Sequence, residues 1–207
     1  MLHRPLREDD VFLPFPVPRA RVPEATHFRS TWLSSTLQAV KSRGLIDRYL
    51  ELLPSEHHEA VVETVAGVWL PIDVALAHYR ALNLLGLSRN GSHQIGLEVT
   101  RKVHGTSLTL AVRLARQAGV TPWSIFAQMN RLWDRVWKGG GLAVYKVGPK
   151  EAIVEAIRWR CAEIPYVRQT MPAVTLGIVE MFCAKAFVHD VPELAGPASL
   201  GMRVQWA

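Results

Sequence analysis

The sequence predicts an α+β domain, an N-terminal helical bundle packed on a small C-terminal antiparallel sheet. Three observations carry that prediction. Apolar residues recur at helical spacing through most of residues 30–138. The period then changes: residues 142–147 and 152–159 are rich in β-branched and aromatic side chains, and Gly148-Pro149-Lys150 between them reads as the turn of a hairpin. A last helix and two closing strands complete the order, and helices followed by antiparallel strands mark the α+β class.

The elements follow in turn. Residues 1–25 stand apart as a Pro-rich N-terminal arm, because Pro5, Pro14, Pro16, Pro18 and Pro23 fix φ and remove backbone donors. Phe12, Leu13 and Phe15 give the arm apolar contacts with which to drape over the domain, and a flexible tail is equally open. Residues 26–207 form the single α+β domain. Ser30 or Thr31 can cap a helix running to Lys41, with Gly44 beyond its end. A short helix over 45–53 stops at Pro54, and Ser55 can cap the next one. Pro71 suits the first turn of a helix ending near Gly86. Two helices are expected over 92–104 and 106–118, divided at Gly105. Thr121-Pro122 is a start signal for a helix carrying Ile125, Phe126, Met129, Leu132, Trp133, Val136 and Trp137, stopped by Gly139-Gly140-Gly141. The last helix begins at Tyr166 or Pro172 and runs to Lys185, and strands over 187–191 and 202–206 close the chain.

Composition narrows the function. At 207 residues the chain can bury a full core, and 49% hydrophobic against 20% charged residues is globular. The net charge is +6, but no run of five like charges occurs, so nucleic acid is not an expected partner. Cys161 and Cys183 belong to no CxxC pair and read as buried thiols. No secretory leader pattern and no stretch of 18 uncharged apolar residues is visible, so a cytoplasmic protein without a membrane span is expected.

Polar chemistry finds little purchase. His93 and His104 could share a helix face but would stand about 16 Å apart, too far for one metal. No HExxH, GxSxG or phosphate-loop pattern occurs, and Gly139–Gly141 lacks the Lys-Ser/Thr that a phosphate cradle needs. No catalytic and no metal-ligating residues are assigned. Seven tryptophans are the conspicuous feature. Large aromatics dominate cores, and they also line ligand pockets. In the second role Trp133, Trp137 and Trp159 would enclose an apolar pocket between the 122–138 helix and the sheet, with Arg131 or Arg135 anchoring an anionic head group. Arg158 and Arg160 compete for that part, and nothing in the pattern selects among the four.

In its C-terminal half the sequence resembles a paralogous myxobacterial family of unknown function, about 200 residues long. Trp133-x3-Trp137 with Gly139-Gly140, the strand pair around Val147-Gly148-Pro149, the last helix and the terminal Arg203-Val204-Gln205-Trp206 carry the resemblance, over residues 28–206. That family is similar in turn to the V4R and heme-nitric-oxide-binding type of domain, in which helices pack on an antiparallel sheet around an apolar cavity. The resemblance implies a regulatory binding role. The heme-binding relatives hold heme propionates with a Tyr-x-Ser-x-Arg signature; here Tyr145-Lys146-Val147-Gly148-Pro149 stands instead, and no cofactor is expected. Where V4R relatives place cysteines, Gly201-Met202-Arg203 stands.

These readings converge on a non-enzymatic regulatory or sensory domain that binds a small apolar or amphipathic ligand through Trp133, Trp137, Trp159, Arg131 and Arg135. The alternative is a protein-interaction adaptor acting as a homodimer, suggested by the Pro-rich arm and the very apolar 71–86 helix. A homo-oligomer or a regulatory protein partner is expected in either case.

Overall fold

The computed structural model describes residues 6–101 and 119–207. The helix expected over 106–118, its boundary at Gly105, and His104 lie outside the described residues. Among those described, the order is β1 (Val11–Leu13), β2 (His27–Arg29), α1 (Ser30–Lys41), α2 (Ile46–Leu52), α3 (His58–Val62), β3 (Trp69–Pro71), α4 (Ile72–Leu84), α5 (89–101), α6 (Pro122–Phe126), α7 (Met129–Val136), β4 (Trp137–Lys138), β5 (Gly141–Gly148), β6 (Glu151–Ile157), α8 (Pro165–Val179), β7 (Ala186–Asp190) and β8 (Ser199–Trp206). The α+β class is as expected.

Five antiparallel strands form the main sheet in the order β1-β5-β6-β8-β7, and β3-β2-β4 form a smaller one. The β5–β6 hairpin pairs Val144 with Val154 and Leu142 with Ala156. Successive residues of a strand face opposite sides. One side of the main sheet therefore presents Leu142, Val144, Ala152, Val154, Ala156, Leu200, Met202, Val204 and Trp206 to the helices, all within the main core. The other side presents Ala143, Ile153, Glu155 and Ile157, and these are buried too.

The N-terminal arm covers that second side. Arg19 forms a two-pronged pair with the Glu155 carboxylate at 2.7 Å for each bond, and the Tyr145 hydroxyl donates to the same carboxylate at 2.9 Å. Backbone bonds tie the arm at its end, from Gly140 N–H to Pro23 O and from Ala25 N–H to Arg158 O, both 2.8 Å. Gly139 makes this crossing possible: its φ is +80°, and a Cβ there would lie 2.1 Å from Glu24 O.

Several boundaries differ from the sequence expectation, each for a local reason. Ser30 opens α1 but does not cap it; its hydroxyl donates to Val65 O and accepts from Val68 N–H, pinning the connection that leads into β3. Ser55 begins a 3-10 turn, not an α-helix. Pro71 ends β3 and caps α4, which starts at Ile72. The single helix expected over 122–138 is two, broken at Ala127-Gln128, and Trp137 has already left the helix as extended chain. Helix α8 starts at Pro165 and carries Pro172 inside it. The three-residue strands β1, β2 and β3 are too short to show a period in sequence.

Candidate functional site

Two helices present matching stripes to the sheet. On α7 they are Met129, Leu132, Trp133 and Val136; on α8, Met171, Val174, Thr175 and Ile178. Both sets fall at i, i+3, i+4, i+7, one face of a helix. With Trp32 of α1, Tyr79 of α4, Leu142, Ala156, Leu200 and Met202 of the sheet, and Trp137 and Trp159, they wall a cavity of about 80 Å³. A smaller space of about 20 Å³ adjoins it, sharing Trp32, Tyr79, Trp159, Met171 and Val174 and adding Thr36, Tyr166 and Thr170. Gly96 of α5 borders this space, and a Cβ there would meet Thr170 O at 2.8 Å. The glycine thus allows α5 and α8 to approach closely beside the cavity.

Three tryptophans form the cage. Trp159 meets Trp133 at 5.6 Å and Trp137 at 5.1 Å, both edge to face, and Trp133 and Trp137 lie 6.0 Å apart. The indole N–H of Trp133 donates to Gly139 O at 2.9 Å, so the glycine turn after α7 fixes the ring. Leaving the helix at Val136 places Trp137 in β4 opposite Phe28, against which its ring stacks at 5.9 Å.

The structure thus brings Trp133, Trp137 and Trp159 together. It does not bring Arg131 or Arg135 to them: both are exposed on the outer side of α7 and absent from the cavity lining. The guanidinium of Arg131 donates to Gln128 Oε1, and the backbone carbonyl of Arg135 accepts from Arg29. Arg158 and Arg160 are exposed as well. The stripes of α7 and α8 were legible as apolar faces, but nothing in the sequence indicated that they converge. Trp123, on the same expected helix, joins a separate cluster with Phe126, Trp206 and Phe12 of the arm.

Titratable groups around the cavity are held neutral. Burial raises the Tyr79 and Tyr166 phenols, and it raises the Cys161 thiol beside Glu163. His78, behind the cavity on α4, is fully buried with its Nδ1 2.7 Å from the Tyr49 hydroxyl, and burial lowers its pKa to about 3. A wall of neutral groups suits association, since acid–base work needs a group poised near the working pH. Among the described residues no three His, Cys, Asp or Glu side chains gather to hold a metal.

Comparison of the coordinates with solved structures decides the fold. The Fe(II) unliganded H-NOX protein from K. algicida superposes with a TM-score of 0.58 over 86% of this chain and 96% of its own, at 9% identity. The fold is that of an H-NOX domain. An oxygen-binding H-NOX domain related to soluble guanylate cyclases matches at a TM-score of 0.53 and 11% identity, covering 86% and 94%. A T. tengcongensis H-NOX mutant matches at 0.54 and 12%, covering 86% and 97%. No family model matches the chain, and neither does any curated protein.

Two further matching structures are described through their heme and its distortion. The described residues here do not fit that group. Pockets for ligands of cofactor size run to roughly 300–1,000 Å³, and this cavity holds about 80 Å³. Among the described residues its lining offers no histidine or cysteine, and the one phenol there, Tyr79, is held protonated by burial. Among the described residues no helix is long and apolar enough to cross a membrane.

Proposed function

We propose that this domain is a non-enzymatic sensor that takes a small apolar molecule into the cage formed by Trp133, Trp137 and Trp159. One observation carries the reading: an apolar cavity lies between the helices and the sheet, walled by complementary stripes on α7 and α8 and by three mutually packed indoles. Apolar cavities accept small apolar guests. Solved neighbours of the fold include one characterised through its heme and one that binds oxygen, which supports a sensory role for the fold. Among the described residues the lining carries no charged side chain, which favours a ligand body that is neutral and apolar and leaves Arg131 and Arg135 outside the binding set. The motif order from Trp133 to Trp206 supports grouping the chain with the myxobacterial paralogues, and two buried free thiols suit a reducing cytoplasm.

Native mass spectrometry of the purified chain tests the proposal. A small neutral adduct that is retained under native conditions and lost on denaturation supports it. A chain that stays bare, and that shows no saturable uptake of xenon or short hydrocarbons, refutes it. A second reading, an adaptor working as a homodimer, draws on Val62, Val65 and Val68, which stay exposed along the connection from α3 to β3. Light scattering separates the two, because the adaptor reading requires a dimer that dissociates when Val62 and Val65 are made polar.

A further inference from the structure

Resting on that binding reading, we infer that the ligand carries a hydrogen-bond acceptor received by the indole N–H of Trp159, and that its class is a short, neutral carbonyl compound. Trp159 is 1% exposed, and its Nε1 has no hydrogen-bond partner among the described residues. Two other indoles of the aromatic clusters are satisfied: Trp133 donates to Gly139 O, and Trp123 donates to Pro149 O at 3.0 Å. Buried indole N–H groups normally find an acceptor, and leaving one without costs free energy. The ring of Trp159 lines both the main cavity and the smaller space beside it, so a guest in either lies against it.

The surroundings restrict the acceptor. The hydroxyls of Thr36 and Thr170 already donate to the carbonyls of Trp32 and Tyr166, each at 2.9 Å. Among the described residues no cation lines either space, so a carboxylate or phosphate would enter without a counter-charge from them, at a large desolvation cost. A neutral carbonyl oxygen avoids that cost and offers Trp159 its missing acceptor. Size restricts the remainder. A dry cavity of about 150 Å³ accommodates benzene, so spaces of about 80 and 20 Å³ suit a guest of about three or four heavy atoms.

Acetone and isobutene, which share shape and heavy-atom count and differ in the acceptor, test the inference. The ¹⁵N-labelled full chain is titrated with each while the indole N–H resonances are followed, and Trp159→Phe assigns the Trp159 signal by deleting it. Saturable downfield movement of that signal with acetone, but not with isobutene, is expected. So is a three- to tenfold loss of acetone affinity in Trp159→Phe, with isobutene affinity held within twofold, as one neutral hydrogen bond predicts. Should the variant not fold, the Trp159 signal is assigned by triple-resonance spectroscopy of the unmodified chain, and its shift decides alone. If isobutene binds but acetone leaves the Trp159 signal unmoved, or binds equally well to the variant, the acceptor inference falls and the binding reading stands. If neither molecule binds, both fall.

Discussion

Filling the cavity should stabilise the fold and abolish binding together. Ala156 is the position to use: it is buried on the central strand β6, and its methyl forms part of the cavity wall. Enclosed cavities cost about 24 cal/mol per Å³, so this partly open space of about 80 Å³ costs the fold at most about 2 kcal/mol. Ala156→Val adds two methyl groups, each worth about 0.8 kcal/mol when buried, and its β-branched side chain suits a strand. A gain of about 1–1.5 kcal/mol is expected, after some of the added bulk meets the wall. For a domain of this size that is about 2–6 °C in melting temperature. Urea unfolding followed by tryptophan fluorescence measures the stability, and titration with isobutene measures the binding. The reasoning is refuted if Ala156→Val destabilises by 1 kcal/mol or more, since the space would then already be full. It is refuted equally if the variant is stabilised yet binds isobutene unchanged.

Three further outcomes follow from the packing. Trp133→Ala removes a buried ring and its bond to Gly139 O, and should cost about 3–5 kcal/mol in urea unfolding. Arg19→Ala leaves the Glu155 carboxylate, 1% exposed, with the Tyr145 hydroxyl alone. Because Arg19 is itself 57% exposed, the loss should be about 1–2 kcal/mol rather than the 3–5 kcal/mol of a fully buried pair. Adding Glu155→Leu to that variant should recover most of it, which a double-mutant cycle reads directly. His78 makes the fold sensitive to acid. With a folded pKa of about 3 against an ordinary 6.5, the unfolded chain binds the proton and the folded chain refuses it between those values. This group therefore contributes no pH dependence above 6.5. Its penalty grows as pH falls below 6.5, approaching about 1.4 kcal/mol per unit, and levels off below about 3. His78→Gln should flatten unfolding free energy between pH 6.5 and 5 by that slope, and an unchanged slope would contradict the assignment.

The sheet and most helices were legible because long amphipathic stretches and a Gly-Pro-Lys turn speak through local chemistry. Met129, Leu132, Trp133 and Val136 announced an inward face without help from the rest of the chain. What faces that stripe was not legible, because Met171 and Ile178 lie some forty residues away and only the return of α8 over the sheet brings them opposite. The arginines illustrate the reverse failure. Arg131 and Arg135 sit two residues from Trp133 in sequence, yet helical geometry turns them to solvent while Trp133 turns inward. Glu155, a carboxylate set among the apolar residues Ala152, Ile153, Val154, Ala156 and Ile157, was the one local sign that something must cover the far side of the sheet. Its partner Arg19 lies 136 residues away in the arm.

The central claim is that the three indoles border real, apolar, accessible space. A crystal of the chain pressurised with xenon tests it most directly. Xenon density inside the ring of Trp133, Trp137, Trp159 and Met202, rising with pressure and absent from Ala156→Val, is the predicted result. Side chains of α7 and α8 meeting across that space, with no xenon between them, would contradict it.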